Sequence, residues 1–255
     1  SNADTWKMAK MNMAIRGIDA NFGPYQADTF FNDLHKTLKA DFIMANPPFN
    51  LSNWGQEKLK NDVRWKYGLP PAGNANYAWI QHMICSMSSG KGRMAVVMPQ
   101  GILFRGNQEV EIRKQLVESD LIEAVVTLGD KLFYGTGLSP CFLIIRRMKP
   151  AHHSGRILMI DGSKILTQKR AQNILAENDI DRLYSLYQNY SDEEDYSRIV
   201  TLREIRDKEY NLSPNRYVVY RKEEIRPYAE VLAEFKHAYE DVKRLEKEFS
   251  LLINA

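Results

Sequence analysis

Asn46, Pro47, Pro48 and Phe49 close the apolar run "DFIMANPPFN" with an amide, two rigid rings and an aromatic side chain. Proline fixes its own φ and has no N–H to donate, so the Pro47 carbonyl points in a set direction. Such a turn suits a reaction on an exocyclic amino group attached to an aromatic ring. That nitrogen is a poor nucleophile, because its lone pair is conjugated into the ring. A catalyst must hold its N–H groups with acceptors placed for the geometry reached during attack. The side-chain oxygen of Asn46 and the backbone carbonyl of Pro47 are two such acceptors. Phe49 can stack on the base, which has to be extruded from a duplex before it can be reached. An Asn-Pro-Pro-Phe stretch can also be no more than a rigid turn after a strand, and its place among the neighbouring elements weighs between the two readings.

Those elements alternate. "DFIMAN" is strand-like and stops at the double proline. "NYAWIQHMICSMSS" carries Tyr77, Ile80, Ile84 and Met87 at helical spacing and is expected to run until Gly90. "RMAVVMP" is a short β-branched run, and "NQEVEIRKQLVES" a helix with Asn107 as its candidate cap. "LIEAVVTL" and "PCFLIIRR" are two more strands, joined through the Gly-rich "YGTGLSP". The pattern predicts an α/β sheet with parallel crossovers. The last two strands lack room for a helix between them, so they are expected as an antiparallel pair at one end of the sheet. The motif then lies at the C-terminal end of a central strand, where open α/β sheets bind ligands.

Toward the start, "TWKMAKMNMAIRGI" reads as a helix ending at Gly17, and "FNDLHKTL" as a turn or helix. Beyond Pro150, "SGRILMIDGS" is a candidate strand and the acidic "SDEEDYS" a solvated loop. From Pro227 to Ala255 a long helix is expected, with Pro227 in its first turn. Tyr228, Phe235, Val242 and Phe249 repeat every seven residues, and Val231, Ala238, Leu245 and Leu252 follow three residues later. This a/d seam suits a helix packed on its own domain, or one that meets another chain.

The 255 residues, 44% of them hydrophobic, can build a sizeable core. Thirty-five basic residues against 32 acidic ones give a net charge of +3, which permits a nucleic-acid partner without arguing for one. Cys85 and Cys141 lie in apolar contexts and are expected as buried reduced thiols. His152-His153 is expected to be solvated, and no metal is expected. No apolar run approaches a membrane span, so a soluble, cytoplasmic protein without a membrane partner is expected.

The sequence resembles the amino-methyltransferases that carry an (N/D)-P-P-(Y/F) motif. It is more closely similar to the modification (M) subunit of type I restriction–modification systems. "MNMAIRGI", "ADTF", "ADFIMANPPFN", "GRMAVVMPQGILFRG", "IRKQLVESDLIEAVVTL", "LFYGTGLSPCFLIIRR" and "LREIRDKEYNLSPNRYV" occur in that family's order and span most of the chain. The resemblance implies a Rossmann-like methyltransferase sheet with a helical C-terminal extension. It also implies methylation of adenine N6 in DNA, with S-adenosyl-L-methionine as cofactor. Asn46, Pro47, Pro48 and Phe49 match the catalytic motif, with Asn46 also beside the cofactor. Asp28 and Thr29 match the segment that contacts the cofactor's adenine. Phe133 to Pro140 fall where the target base is lined, although a Gly-rich turn between strands is the equal alternative. Arg105 and Arg113 are candidates for phosphate contacts, or surface residues.

The Gly-rich cofactor loop of that family and its ribose-binding acid are not found in these residues. Ser1-Asn2-Ala3 look like an expression scar. The expectation is therefore a C-terminal fragment with an incomplete cofactor pocket, inactive alone. Residues 1–150 would be a partial methyltransferase domain, 151–226 an extension, and 227–255 a helix for subunit contact. The implied partners are DNA, a specificity (S) subunit, a nuclease (R) subunit and a second M subunit. A protein-glutamine or RNA methyltransferase, or a non-catalytic interaction fragment, is the alternative.

Overall fold

The computed structural model describes residues 2–133, 137–170, 172–221 and 228–253. They form two units, Ser1–Val219 and Tyr220–Ala255. In the first, helix α1 (Ala3–Ile15) starts where the Asn2 side chain accepts from the Asp4 amide at 2.8 Å, and stops before Gly17, whose φ of +64° suits glycine. Turns fill the stretch from Gly17 to Lys39.

Strand β1 (Phe42–Ala45) is short, because Pro47 and Pro48 offer no N–H to extend the ladder. It runs parallel to β2 (Arg93–Pro99) across helix α2 (Asn76–Ser86). Tyr77, Ile80, Ile84 and Met87, the helical stripe of the sequence, are all buried. Helix α2 ends earlier than expected, at Ser86. Met87 turns extended to bridge Ala40, and Ser88 N donates to the Ala40 carbonyl at 2.9 Å.

Helix α3 (Gln108–Glu118) leads to β3 (Ile122–Leu128), which is buried along its whole length. Asn107 stands at the start of α3 with φ +57°, but its side chain makes no capping bond. Strand β4 (Pro140–Arg146) is antiparallel to β3, as expected, but does not lie at one end of the sheet. It inserts between β2 and β3, and β5 (Arg156–Gly162) and β6 (Ser197–Thr201) continue the sheet beyond β3 in the order β1-β2-β4-β3-β5-β6. Helix α4 (Glu177–Asn189) joins β5 to β6. A second departure concerns β1. It is an edge strand, not a central one, with Phe42 74% and Met44 88% exposed.

Helix α5 (Leu202–Asp207) carries a capping box between Thr201 and Glu204. The following "YNLSPNRYV" stretch packs back on the sheet's core, and Leu212 N donates to the Leu103 carbonyl at 2.9 Å. Arg113 is neither a surface residue nor placed for phosphate. It is 2% exposed and donates to the carbonyls of Arg105 at 2.7 Å, Tyr210 at 3.0 Å and Ile102 at 3.2 Å. Arg113→Met should take the Arg113 donors from the Arg105 and Tyr210 carbonyls, leaving Ile102 O to the Tyr77 hydroxyl, and destabilise the chain by about 2–3 kcal/mol in urea unfolding. A change under about 0.5 kcal/mol would show that these bonds carry little stability.

Cys141 is buried as expected, with its thiol pKa pushed up by burial, but Cys85 is exposed. His153 is not a solvated residue. Its Nδ1 lies 3.1 Å from the buried Glu123 carboxylate, and its ring stacks on Tyr190 at 3.4 Å. In the second unit, α6 (Tyr228–Ile253) is a single helix. Pro227 lies outside the described residues. No described helix is long and apolar enough to cross a membrane.

Candidate active site

Strands β1, β2, β3 and β5 point the same way, so their C-terminal ends share one edge of the sheet. Asn46 to Phe49 leave β1 at that edge. Strand β2 ends beside them at Pro99, whose register partner Pro140 opens β4. The loop between β3 and β4 therefore returns to the same edge. Its Phe133 ring meets the Phe49 ring edge-on, with centroids 6.1 Å apart and planes at 81°. Tyr134 to Thr136 lie outside the described residues.

Asn46 is exposed, and its amide makes no hydrogen bond to the protein among the described residues. Pro47 and Phe49 are half-buried. No group in the turn titrates, so its acceptors stay neutral at any physiological pH. Tyr77 lies beneath this edge and donates its hydroxyl to the Ile102 carbonyl at 2.7 Å; burial drives its pKa upward, which keeps that proton in place.

The turn is held by Asn50. Its φ of +53° is left-handed, a conformation that asparagine tolerates better than most residues. Its amide N–H donates to Asn76 Oδ1 at 2.9 Å, and Asn76 Nδ2 donates back to Asn50 Oδ1 at 3.0 Å. Arg105 Nη1 donates to the same oxygen at 3.0 Å. Asn76 is fully buried at the first turn of α2. Gln100 does similar work for the Phe133 loop. Its side chain donates to Leu128 O at 2.9 Å and Pro140 O at 3.3 Å, and its backbone N–H to Ser139 O at 3.2 Å. Both ends of the loop are pinned to the end of β2.

Asp28 and Thr29 lie in a separate turn, and no hydrogen bond joins them to Asn46–Phe49 among the described residues. Asp28 Oδ1 accepts from Phe30 N at 2.9 Å and Phe31 N at 3.2 Å, and Oδ2 accepts no hydrogen bond among the described residues. The Thr29 and Phe30 carbonyls accept from Arg64. Among the described residues no group of three or more His, Cys, Asp or Glu is placed to hold a metal ion.

A family profile described as N-6 DNA Methylase matches residues 1–225. The chain belongs to the N-6 DNA methylase family. It is 40% identical over 225 residues to the Type I restriction enzyme HindI methylase subunit of Haemophilus influenzae, which covers 85% of this chain and 50% of that relative. It is 36% identical over 255 residues to the MjaVII methylase subunit of Methanocaldococcus jannaschii, covering 94% of this chain and 43% of the relative. Among solved structures it is similar to the type I restriction-modification system methyltransferase subunit from Streptococcus thermophilus. That likeness has a TM-score of 0.78 and 29% identity, over 85% of this chain and 47% of that one. The chain spans about half the length of the curated relatives it matches. The sheet and its helices are the methyltransferase fold that the sequence led one to expect.

Sequence reading of this chain missed Asn50, Asn76 and Gln100 as anchors of the motif and its neighbouring loop, and took Arg105 as a phosphate contact or a surface residue, whereas it donates to Asn50 Oδ1. Asn50 adjoins the motif, and its residue type hints at a left-handed turn. The other three reach the turn or the loop only through tertiary contacts, and nothing local marks them.

Proposed function

We propose that this chain supplies the catalytic-motif half of a DNA adenine-N6 methyltransferase subunit of a type I restriction–modification system. The observation that carries the reading is the end of β1: an unpaired Asn46 amide beside the fixed Pro47 carbonyl, with Phe49 edge-on to Phe133. Asn46 Oδ1 and Pro47 O accept the two N6 hydrogens of an extruded adenine. Their partial negative charges face the nitrogen as positive charge develops on it. Phe49 stacks on the base, and Phe133 closes that aromatic wall from the side. S-adenosyl-L-methionine, when bound, supplies the electrophilic methyl group. Asp28 suits the cofactor's adenine, because Oδ1 is spent on its own turn and Oδ2 remains to accept from an amine. Thr29 contributes the neighbouring backbone, and Asn46 lies between cofactor and base.

In this reading residues 1–150 carry the chemistry, 151–226 extend it, and 227–255 make a subunit contact. DNA, a specificity subunit, a nuclease subunit and a second modification subunit are the partners. The type I methylase relatives at 40% and 36% identity favour this reading over a protein-glutamine or RNA methyltransferase, or a non-catalytic fragment. The experiment is transfer of labelled methyl groups by the intact methyltransferase, offered duplex DNA, RNA and protein. Label in N6-methyldeoxyadenosine supports the proposal, and label in RNA or glutamine would replace it.

Phe49→Ala should weaken capture of the extruded adenine by about 1–3 kcal/mol, the usual worth of base–aromatic stacking. Phe49→Tyr and Phe49→Trp should retain most of the activity, as read by methylation rates on one duplex. Equal rates for the alanine and tyrosine variants would contradict stacking.

A further inference from the structure

We infer that Arg64 is a positioning residue for the cofactor's adenine, acting through the Asp28–Phe31 turn without touching the cofactor. The inference rests on the reading of Asp28 and Thr29 as cofactor contacts. Arg64 lies far along the chain from that turn, yet its Nη1 donates to Thr29 O at 3.0 Å and its Nη2 to Phe30 O at 2.5 Å. The Asp28 carboxylate takes the turn's amides from the other side. One turn is thereby clamped through both its N–H and its C=O groups.

The remaining donors of Arg64 are also committed. Nε and Nη2 donate to Asp62 Oδ1 and Oδ2 at 2.8 and 2.7 Å, and Nη1 lies 3.2 Å from His82 Nδ1. Burial, and then Arg64 itself, hold the His82 pKa below its ordinary value, so the ring is neutral and Nδ1 can accept. Arg64 likewise holds the Asp62 carboxyl below the usual range. The Arg64 side chain is 9% exposed, with its guanidinium 5.3 Å from the Trp65 ring and 5.9 Å from the Phe30 ring. A guanidinium has five N–H groups in a rigid fork. All five have acceptors here, so none is left for a ligand. A lysine would keep the charge but could not span the two carbonyls, the carboxylate and the imidazole together.

The test uses the intact methyltransferase carrying Arg64→Lys, Asp62→Asn or Asp28→Asn. Calorimetry gives the S-adenosylmethionine dissociation constant without DNA, and hydrogen exchange follows the Phe30 and Phe31 amides. Arg64→Lys should raise the dissociation constant about tenfold, the loss of one or two charged hydrogen bonds. It should speed exchange at both amides, and leave DNA affinity and the rate at saturating cofactor near wild type. Asp62→Asn should shift both readouts the same way, by less. If Asp28→Asn weakens cofactor binding and Arg64→Lys does not, the positioning role is wrong. If Asp28→Asn leaves binding unchanged, the cofactor reading of the turn falls, and this inference with it. A loss of DNA affinity equal to the loss of cofactor affinity would mark Arg64 as general scaffold and also overturn the inference.

Discussion

Asn46→Ala is expected to slow methyl transfer to the target adenine by about 10²–10³-fold, the usual cost of losing one preorganised hydrogen-bonding partner in a transition state. The fold should not notice. Asn46 is exposed and its amide makes no hydrogen bond to the protein among the described residues, so no native contact is lost. The acceptor matters most when positive charge builds on N6. The rate at saturation should therefore fall, while the affinities for DNA and cofactor and the melting temperature stay near wild type. Asn50→Ala offers the contrast. It removes the side chain that accepts from Asn76 and Arg105, and should loosen the turn as well as slow the reaction. A wild-type rate for Asn46→Ala would remove Asn46 from the chemistry.

The motif was legible because its residue types are chemically unusual and sit where a strand pattern stops. Strands β1 to β4 were legible as short apolar runs and β5 as "SGRILMIDGS", α2 through its helical apolar spacing, and α1 and α3 as helices, although the Asn107 cap of α3 does not form. The insertion of β4 between β2 and β3 was not. A short β3–β4 connection dictates an antiparallel pair, but says nothing of what binds the other edge of each strand. Strand β6 is only five residues long, begins with Ser197 and Arg198 and follows an acidic run, so Ile199 and Val200 are its only apolar residues. Arg113 and His153 read as polar surface residues, and only tertiary packing supplies the carbonyls and the carboxylate that hold them. Cys85 sits in an apolar stretch, but helix α2 turns it outward while Ile84 and Met87 face the core.

Phe235→Asp combined with Val242→Asp is expected to abolish co-purification with the specificity subunit. The seam on α6 mixes aromatic and aliphatic residues, unlike the uniform Ile/Leu layers of simple homodimeric zippers. Phe235 is 66% and Val242 51% exposed, and Tyr228, Leu245 and Phe249 are exposed with them. Phe235 also stacks on Tyr239, with ring centroids 6.2 Å apart. In the reading in which another chain covers the seam, the helices form a bundle crossing at about +20°. Each large apolar side chain buried there contributes about 1.5–3 kcal/mol before association costs. Two carboxylates at the seam would remove that gain and add an uncompensated desolvation cost. If another chain covers the seam, the isolated chain should keep its helical circular dichroism. If the double variant unfolds the chain, the seam is internal core and the partner site is wrong.

The most direct measurement is the distance from the target adenine N6 to Asn46 Oδ1 and Pro47 O, in a structure of the intact methyltransferase on its DNA with a cofactor analogue. The account predicts an extruded adenine with both oxygens within about 2.6–3.2 Å of N6 and the Phe49 ring stacked on the base. An adenine still stacked in the duplex, or an N6 held by other groups, would contradict it.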